Sequence, residues 1–255
     1  MTTSILTKNE LDRMGYRLRS FLGSEYVRSV FFELRRFYYM DVRKTFRTID
    51  SNEAFDLTVP HNLKMVSKWL PRMELLIKPL SVIESVPKDS KVLVIGPRNE
   101  YDLLLLAANG FAFKHVRGVD LMSYSPKIDL GDMHAMSYPD SSWDVVLCGW
   151  TLSYSATPQK AAAEMVRVVR NGGVIGIGVE YSTLSDEDSI ALDGYVIQDK
   201  KRLLERINSA EQCLQLFRPH VKDIFFCHDA PLKKSHTKSG YTPPSNVAII
   251  FSIQK

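Results

Sequence analysis

The sequence predicts a doubly wound α/β protein with an N-terminal helical extension, and three observations support this fold class. Apolar residues recur at helical intervals through the first third of the chain. From Lys91 onward, short β-branched runs alternate with helical segments, which is the order that builds a parallel sheet. The 255 residues are 45% hydrophobic and 24% charged, a composition typical of globular proteins that excludes a disordered chain, collagen or a coiled coil.

The extension comprises residues 1–86 and begins with two predicted helices. Thr7 and Glu10 have the spacing of a capping box, and the helix that follows should end at Gly23. A second helix is predicted from about residue 25 to residue 47, with arginines largely on one face. The opposite face of this second helix is predicted to carry Val27, Val30, Phe31, Leu34 and Phe37.

The rest of the extension is predicted as a loop at residues 51–60 and as further helix at residues 61–86, which Pro71 and Pro79 interrupt. Because the helices carry apolar stripes, we expect the extension to dock on the following domain as a lid or as an arm of a homo-oligomer. In that arrangement its aromatic side chains would face the core and its arginines would face water.

Residues 87–255 are predicted to form the sheet domain. Its strands are expected at residues 91–95, 116–121, 143–148, 173–178, 221–227 and 247–253. Its helices are expected at residues 100–109, 161–169 and 209–217. Gly110 should end the first helix in a left-handed conformation, and Thr157 and Pro158 should provide the N-cap and first turn of the second.

Open parallel sheets bind ligands at the carboxyl ends of their strands. The strand ends at Gly96, Asp120 and Cys148-Gly149-Trp150 therefore mark a candidate site. Asp120 lies 24 residues after Gly96, where a carboxylate is suited to accept hydrogen bonds from both ribose hydroxyls of an adenosine. A helix-capping role for Asp120 is the alternative.

The segment from Gly131-Asp-Met-His134 to Tyr138-Pro-Asp-Ser-Ser-Trp-Asp-Val-Val146 resembles a motif of class I S-adenosylmethionine-dependent methyltransferases, written GDAxxLPFPDxSFDxV. Together with Gly118-Val-Asp-Leu121 and Met165-Val-Arg-Val-Val-Arg-Asn-Gly-Gly173, it is similar to the subgroup that includes ubiquinone- and menaquinone-type methyltransferases. The resemblance covers residues 90–181. It implies a Rossmann-like, mostly parallel, seven-stranded sheet with an antiparallel last strand.

The resemblance also implies S-adenosylmethionine as cofactor, with S-adenosylhomocysteine as product, and a methyl acceptor of small or medium size. Asp132 would accept from the adenine amino group, the Met133 backbone would meet a ring nitrogen, and Asp120 would hold the ribose. The other implied cofactor contacts are Leu121, His134, Gly149 and Trp150.

The first motif departs from this family, whose usual form is an acidic residue followed by Gly-x-Gly-x-Gly. Here the chain has Val94-Ile-Gly-Pro-Arg-Asn-Glu100, which resembles the Gly-Cys-Arg-Asn turn of a variant subset. In a remodelled site of Gly96, Pro97, Arg98 and Asn99, the Arg98 guanidinium could hold the cofactor carboxylate, and Glu100 or Asp102 its ammonium. The alternatives are a solvated turn, with Asp102 as a helix cap, and a non-catalytic or repurposed relative that binds a nucleoside or acts as a regulatory module. A nicotinamide dinucleotide is disfavoured, because the glycines that let the backbone approach a pyrophosphate are missing.

Five residues are candidates for the acceptor side: His134, Trp150, Tyr154, Glu180 and Tyr181. His134 or Glu180 could take a proton from the acceptor. No catalytic residue is assigned, because alignment of the sulfonium methyl with the acceptor can suffice. Packing is the structural alternative for Trp150 and Tyr154, bonding to the backbone for His134, and a solvated loop carboxylate for Glu180.

No metal is expected, since the histidines show no ligand spacing with cysteine or carboxylate; they include His115, His134, His220, His228 and His236. Cys148, Cys213 and Cys227 are predicted to be reduced thiols. No membrane span and no signal peptide are expected, which predicts a cytoplasmic protein.

Nucleic-acid binding is disfavoured, although nine basic residues stand against three acidic ones between Arg13 and Arg47, interleaved with aromatic residues. The formal charge of the whole chain is only +4 and no nucleic-acid-binding motif is present. The expected partners are therefore a small-molecule acceptor and a second copy of the chain, the latter bound through the N-terminal helices.

Overall fold

The structure is a computed structural model that describes residues 20–49, 55–68, 71–155, 157–181, 207, 209–229 and 245–255. The predicted helix near residue 8 lies outside this part of the chain, apart from a helical turn at residues 20–23 that ends before Ser24. The described residues divide into two compact units, one up to Asp132 and the other from Met133 onward. The boundary predicted at residue 86 therefore stays a prediction.

Seven strands form the main sheet, in the order β5-β3-β2-β6-β7-β9-β8. These strands are β2 (Val92–Ile95), β3 (Val116–Asp120), β5 (Ile128–Leu130), β6 (Trp143–Gly149), β7 (Val169–Tyr181), β8 (Val221–Asp229) and β9 (Ser245–Ile253). Strand β2 pairs with β3 in parallel, as do β3 with β5 and β6 with β7, whereas β9 is antiparallel to both β7 and β8. The predicted Rossmann-like sheet with its antiparallel last strand is thus confirmed.

The first unit begins with helix α1 (Glu25–Phe37), which continues into a π-helical turn at Tyr38–Val42. The predicted orientation of this helix is wrong. Phe32 and the Arg28 side chain are buried, while Val30, Leu34 and Phe37 are exposed. The arginines turn inward because the neighbouring helix offers them polar partners, a tyrosine hydroxyl and a buried carboxylate, that periodicity alone does not reveal.

Helix α2 (Phe55–Lys64) replaces most of the loop predicted at residues 51–60. The prediction of a loop is therefore wrong for residues 55–60. Pro60 lies inside the helix and removes one backbone donor, but the helix continues to Lys64. A 3₁₀ turn at Pro71–Met73 and helix α3 (Glu74–Leu80) follow. The two-residue strands β1 (Arg47–Thr48) and β4 (Met122–Ser123) pair antiparallel in a separate small sheet.

Helix α4 (Tyr101–Ala108) connects β2 to β3, and Gly110 takes a φ of +98° after its end, so the predicted helix and its terminator are confirmed. Helix α1 docks on α4 through a buried cluster. The cluster consists of Leu22, Phe32, Tyr101, Leu104 and Ala107. The Phe32 and Tyr101 rings meet edge to face, with centroids 5.9 Å apart.

In the second unit, helix α5 (Pro158–Val168) connects β6 to β7, with Thr157 at the N-cap and Pro158 in the first turn as predicted. Helix α6 (Ala210–Gln215) follows Ser209, whose hydroxyl accepts from the Gln212 N–H at 3.2 Å. Strands β7 and β9 form the most extensive pairing of this unit, which gives it an apolar centre that includes Ile177, Val179 and Phe251. Among the described residues, no helix is long and apolar enough to span a membrane.

Candidate functional site

The turn after β2 contains the first motif, which differs from the family pattern, and two of its residues have a positive φ. Gly96 has a φ of +65° and Arg98 a φ of +56°, a region that a side chain normally disfavours by about 1–2 kcal/mol. The Arg98 N–H donates to Asp120 Oδ2 at 2.8 Å, and this bond compensates part of that cost. Pro97 packs on β3, where a Cβ at Gly118 would lie 2.6 Å from Pro97 Cγ. The turn is therefore fixed against the end of the next strand.

Asp120 ends β3 with its side chain buried. Burial raises the pKa of its carboxyl, while the backbone N–H groups of Arg98, Met122 and Leu121 oppose that rise. The Met122 N–H lies 3.4 Å from Asp120 Oδ1, a long contact, so this oxygen keeps acceptor capacity. A buried carboxylate at a strand end with unused acceptor capacity suits the hydroxyl groups of a ribose.

Asn99 ties the turn to the segment after α2. Its Nδ2 donates to the Val66 and Lys68 carbonyls, both at 3.0 Å, and its Oδ1 accepts from the Tyr101 N–H at 3.0 Å. The Arg98 Nε donates to Asn62 Oδ1 at 3.2 Å. The Asn99 side chain is buried and its amide binds protein groups through both Nδ2 and Oδ1, which gives it a structural role in shaping the turn.

Glu100 is 0% exposed, and protein groups engage both of its carboxylate oxygens. Arg35 on α1 binds it through two bonds, Nε to Oε2 at 2.5 Å and Nη2 to Oε1 at 2.8 Å. The Ser125 hydroxyl also donates to Oε1. The hydrogen bonds to Glu100 are the largest cause of the raised pKa of Arg35. Glu100 thus fastens the turn to the N-terminal extension.

Asp102 lies in the first turn of α4 and is partly exposed. Burial raises the pKa of its carboxyl to about 7, although the positive charges of Arg72 and Arg98 act in the opposite direction. Among the described residues, no side chain binds the Asp102 carboxylate through two bonds as Arg35 binds Glu100.

Leu121 and Asp132 lie just beyond the ends of two neighbouring strands of the first unit, β3 and β5. The Gly131 N–H donates to the Asp120 carbonyl at 3.0 Å, which holds the segment leading to Asp132 against β3. Asp132 is partly exposed. The Leu121 carbonyl accepts from the Ile49 N–H at 2.9 Å, so its backbone joins the small sheet region.

In the second unit, the turn after β6 is built around Trp150. This residue also has a positive φ, +60°, and its N–H donates to the Gly178 carbonyl at 2.6 Å. The indole is buried, and its Nε1 donates to Asn246 Oδ1 at 2.9 Å. A Cβ at Gly178 would lie 2.9–3.2 Å from three ring carbons of Trp150, so only glycine accommodates the indole here. Gly149, immediately before it, is partly exposed.

The remaining predicted residues of the second unit occupy several elements. His134 Nε2 lies 2.7 Å from the buried Ser155 Oγ, and Tyr154 ends a 3₁₀ turn at Leu152–Tyr154. Glu180 pairs with Asn246 in the β7–β9 register, and Tyr181 ends β7. Met133 is partly exposed. Among the described residues, no group of three or more His, Cys, Asp or Glu side chains could hold a metal ion.

Sequence reasoning missed the residues that hold these turns from a distance. Arg35 lies 65 positions before Glu100, and Asn246 lies 96 positions after Trp150. A weak signal existed for the first pair, because an acidic residue in an apolar setting needs a basic partner and the extension is rich in arginine. The amide of Asn246 gives no comparable signal.

Comparisons with known proteins concern the family and the fold. Residues 93–177 match a family model described as a methyltransferase domain, which confirms the resemblance seen in the sequence. No curated protein sequence matches the chain.

Solved structures show the same fold at low identity. A complex between the Haloferax volcanii Trm112 methyltransferase activator and a protein described as a methyltransferase contains a chain that is 15% identical. The match covers 81% of this chain and 98% of that one, with a TM-score of 0.55. The MccD protein is 13% identical, covering 72% and 98% with a TM-score of 0.53. The [4+2]-cyclase SpnF is 14% identical, covering 78% and 93% with a TM-score of 0.50.

Proposed function

Because residues 93–177 match the family model of a methyltransferase domain, we propose that this chain transfers a methyl group from S-adenosylmethionine to an acceptor of small or medium size. The buried Asp120 carboxylate at the end of β3 is the observation that carries the proposal. Burying a carboxylate is costly unless hydrogen bonds compensate, and this one keeps acceptor capacity beyond its backbone donors. Ribose hydroxyls would supply the missing donors.

The adenosine is assigned to Asp120 and Asp132. Asp120 would accept from the ribose hydroxyls, and Asp132, partly exposed at the end of its strand, from the adenine amino group. Leu121 would contribute apolar surface to the same end of the cofactor.

The methionine end is assigned to the turn after β2. Gly96 and Pro97 shape the turn, Asn99 fixes it, and the Arg98 guanidinium would bind the cofactor carboxylate. For the ammonium group we choose Asp102, since Arg35 already binds the Glu100 carboxylate through two bonds. The elevated pKa of Asp102 fits a carboxyl that gains a cationic partner on binding.

When bound, S-adenosylmethionine supplies an electrophilic methyl group on a sulfonium, so the protein's task is to bind, orient and exclude water. The predictions that Met133, His134, Gly149 and Trp150 contact the cofactor are part of this proposal. So are Tyr154, Glu180 and Tyr181 on the acceptor side, with His134 or Glu180 available to accept a proton.

Isothermal titration of the full chain with S-adenosylmethionine and S-adenosylhomocysteine tests the proposal, after mass spectrometry has excluded a co-purified nucleoside. We expect micromolar or tighter binding and a loss of at least about 100-fold in Asp120→Ala, since a buried carboxylate with two ribose bonds is worth about 3 kcal/mol. Asp129→Ala is the matched control. Asp129 lies on the adjacent strand and pairs with Arg117 at the surface, so this variant should bind as the wild type does. Absence of binding to either compound contradicts the proposal.

A second candidate is a relative that binds the cofactor without transferring its methyl group. This second candidate is favoured by the first motif, which differs from the family pattern and uses one of its two acidic residues, Glu100, to hold α1. The fold itself allows other chemistry. Formation of S-adenosylhomocysteine with a panel of small nucleophiles separates the two candidates: tight binding without any product in the whole panel would favour the second.

A further inference from the structure

The outward face of α1 is apolar, although it lies opposite the face that packs on the first unit. Tyr26, Val30, Leu34 and Phe37 are 78%, 43%, 62% and 56% exposed. At 100° per residue, these four side chains fall within an arc of about 80°. The π-helical turn extends this face with Tyr38 and Val42, which are also exposed. We call these six residues the α1 outer face.

The side chains on the inward face of α1 already have partners within the same chain. Arg28 donates to the Leu22 carbonyl at 2.8 Å and to the Tyr101 hydroxyl at 3.1 Å, Phe32 is fully buried, and Arg35 binds Glu100. These contacts fix which side of the helix faces outward. A contiguous apolar patch that a docked helix holds toward solvent is typical of a protein interface.

We propose that the α1 outer face binds the same face of a second copy, so that the chain forms a twofold dimer through antiparallel α1 helices. A twofold interface requires a surface that is complementary to itself. The four main residues follow the order aromatic, aliphatic, aliphatic, aromatic, which reads the same in both directions. In an antiparallel pair, Tyr26 meets Phe37 of the second copy and Val30 meets Leu34.

One edge of the α1 outer face is polar. Glu33 lies about 20° from Tyr26 around the helix axis and pairs with Arg36 at 2.7 Å within the same copy, which forms a polar rim beside the apolar stripe.

The size of the face is sufficient for a weak specific dimer. Since a fully exposed aromatic side chain presents about 150–250 Å², the six residues expose on the order of 500–600 Å² per copy. Two copies would bury roughly 1,000–1,200 Å², which is the lower range for specific interfaces. We therefore expect the dissociation constant of the dimer to lie in the micromolar range.

Sedimentation equilibrium of the full chain from 1 to 100 μM tests the dimer. The wild type should approach twice the 29.1 kDa chain mass as concentration rises. Leu34→Glu should remain a monomer, because it buries an unpaired charge at the centre of the interface. Its circular dichroism should be unchanged, since the side chain is exposed. Ile224→Glu, on β8 and 51% exposed, is the control and should dimerise as the wild type does.

Disulfide crosslinking tests the antiparallel arrangement in a Cys227→Ser background, in which the two remaining cysteines are buried. A mixture of Val30→Cys and Leu34→Cys chains should crosslink at least about tenfold faster than either variant alone. Faster self-crosslinking of Val30→Cys would overturn the antiparallel pairing.

A wild type that is monomeric at 100 μM overturns the proposal. So does a dimer that persists in Leu34→Glu. Two other outcomes also overturn it. A monomer whose Leu34→Cys thiol reacts slowly with a maleimide would show that another part of the same chain covers the α1 outer face. A complex with a different protein that Leu34→Glu abolishes would assign the α1 outer face to that protein.

Discussion

The turn after β2 and the turn after β6 both hold a non-glycine residue at positive φ, but different forces hold them. In the first turn, Arg98 donates its N–H to a buried carboxylate, and charged side chains surround it. In the second, the Trp150 N–H donates to a neutral carbonyl, and the indole packs on Gly178. The first turn is therefore sensitive to charge and pH, and the second to volume.

This difference between the two turns matters for function because a charged ligand interacts with charged groups of the protein more strongly than with packed apolar ones. A turn held by a carboxylate can exchange part of its hydrogen bonding with a ligand, whereas a turn held by close packing resists displacement. We therefore expect the variants of the first turn to alter ligand binding more than stability, and those of the second to do the reverse.

Trp150→Ala should give the largest loss of stability, about 3–5 kcal/mol in the free energy of unfolding, because it removes a large buried ring and leaves a cavity. Urea unfolding followed by far-UV circular dichroism measures it. The loss should be the same at pH 6 and pH 8, since the contacts of the ring to Gly178 and Asn246 include no titrating group. A loss that changes by more than about 1 kcal/mol between those pH values would contradict the assignment of this turn to packing.

Gly178→Ala should cost about 1–3 kcal/mol, because its Cβ would overlap the Trp150 ring. In a Trp150→Phe background the cost should fall by at least half, since the smaller ring leaves room for the methyl group. Gly23→Ala is the control, as a Cβ there meets no atom within 4 Å. Equal costs of Gly178→Ala in the two backgrounds would show that the indole is not the obstacle.

Much of the fold was predictable because strands and the helices between them repeat local patterns of hydrophobicity. The strand ends at Asp120 and Trp150 followed from this order, whereas the cofactor contacts expected at these residues stay a prediction. The orientation of α1 was not predictable, because it depends on which side finds a partner for Arg28 and Arg35. The use of Glu100 by Arg35 was hidden for the same reason: the pairing joins residues that are distant in sequence, and local periodicity carries no information about it.

Asp102→Asn should stabilise the protein by about 1–2 kcal/mol at pH 8, an amount reduced from the full pKa shift because the side chain is partly exposed. The folded-state pKa of about 7 exceeds the ordinary carboxyl pKa of 3.8, so the stability that the protonated carboxyl contributes is lost as pH rises between these values. The gain of the variant should therefore grow from about pH 4 to pH 7 and then level off. Thermal unfolding across that range measures it, and a gain that is independent of pH would contradict the raised pKa of Asp102.

Arg98→Gly should change stability least, by less than about 1 kcal/mol, because three effects nearly cancel. Glycine relieves about 1–2 kcal/mol of left-handed strain, but it costs roughly 0.5–1 kcal/mol of chain entropy, and the bond to Asn62 is lost. Affinity for S-adenosylhomocysteine, which keeps the carboxylate, should nevertheless fall at least about tenfold by titration calorimetry, since a charge-assisted bond is worth about 1.5–3 kcal/mol. Arg98→Lys keeps the charge and should recover part of that affinity without restoring the planar fork. A glycine variant that is as stable as the wild type and binds equally well would leave Arg98 no role in holding the cofactor, and its positive φ would then be a cost of the turn alone.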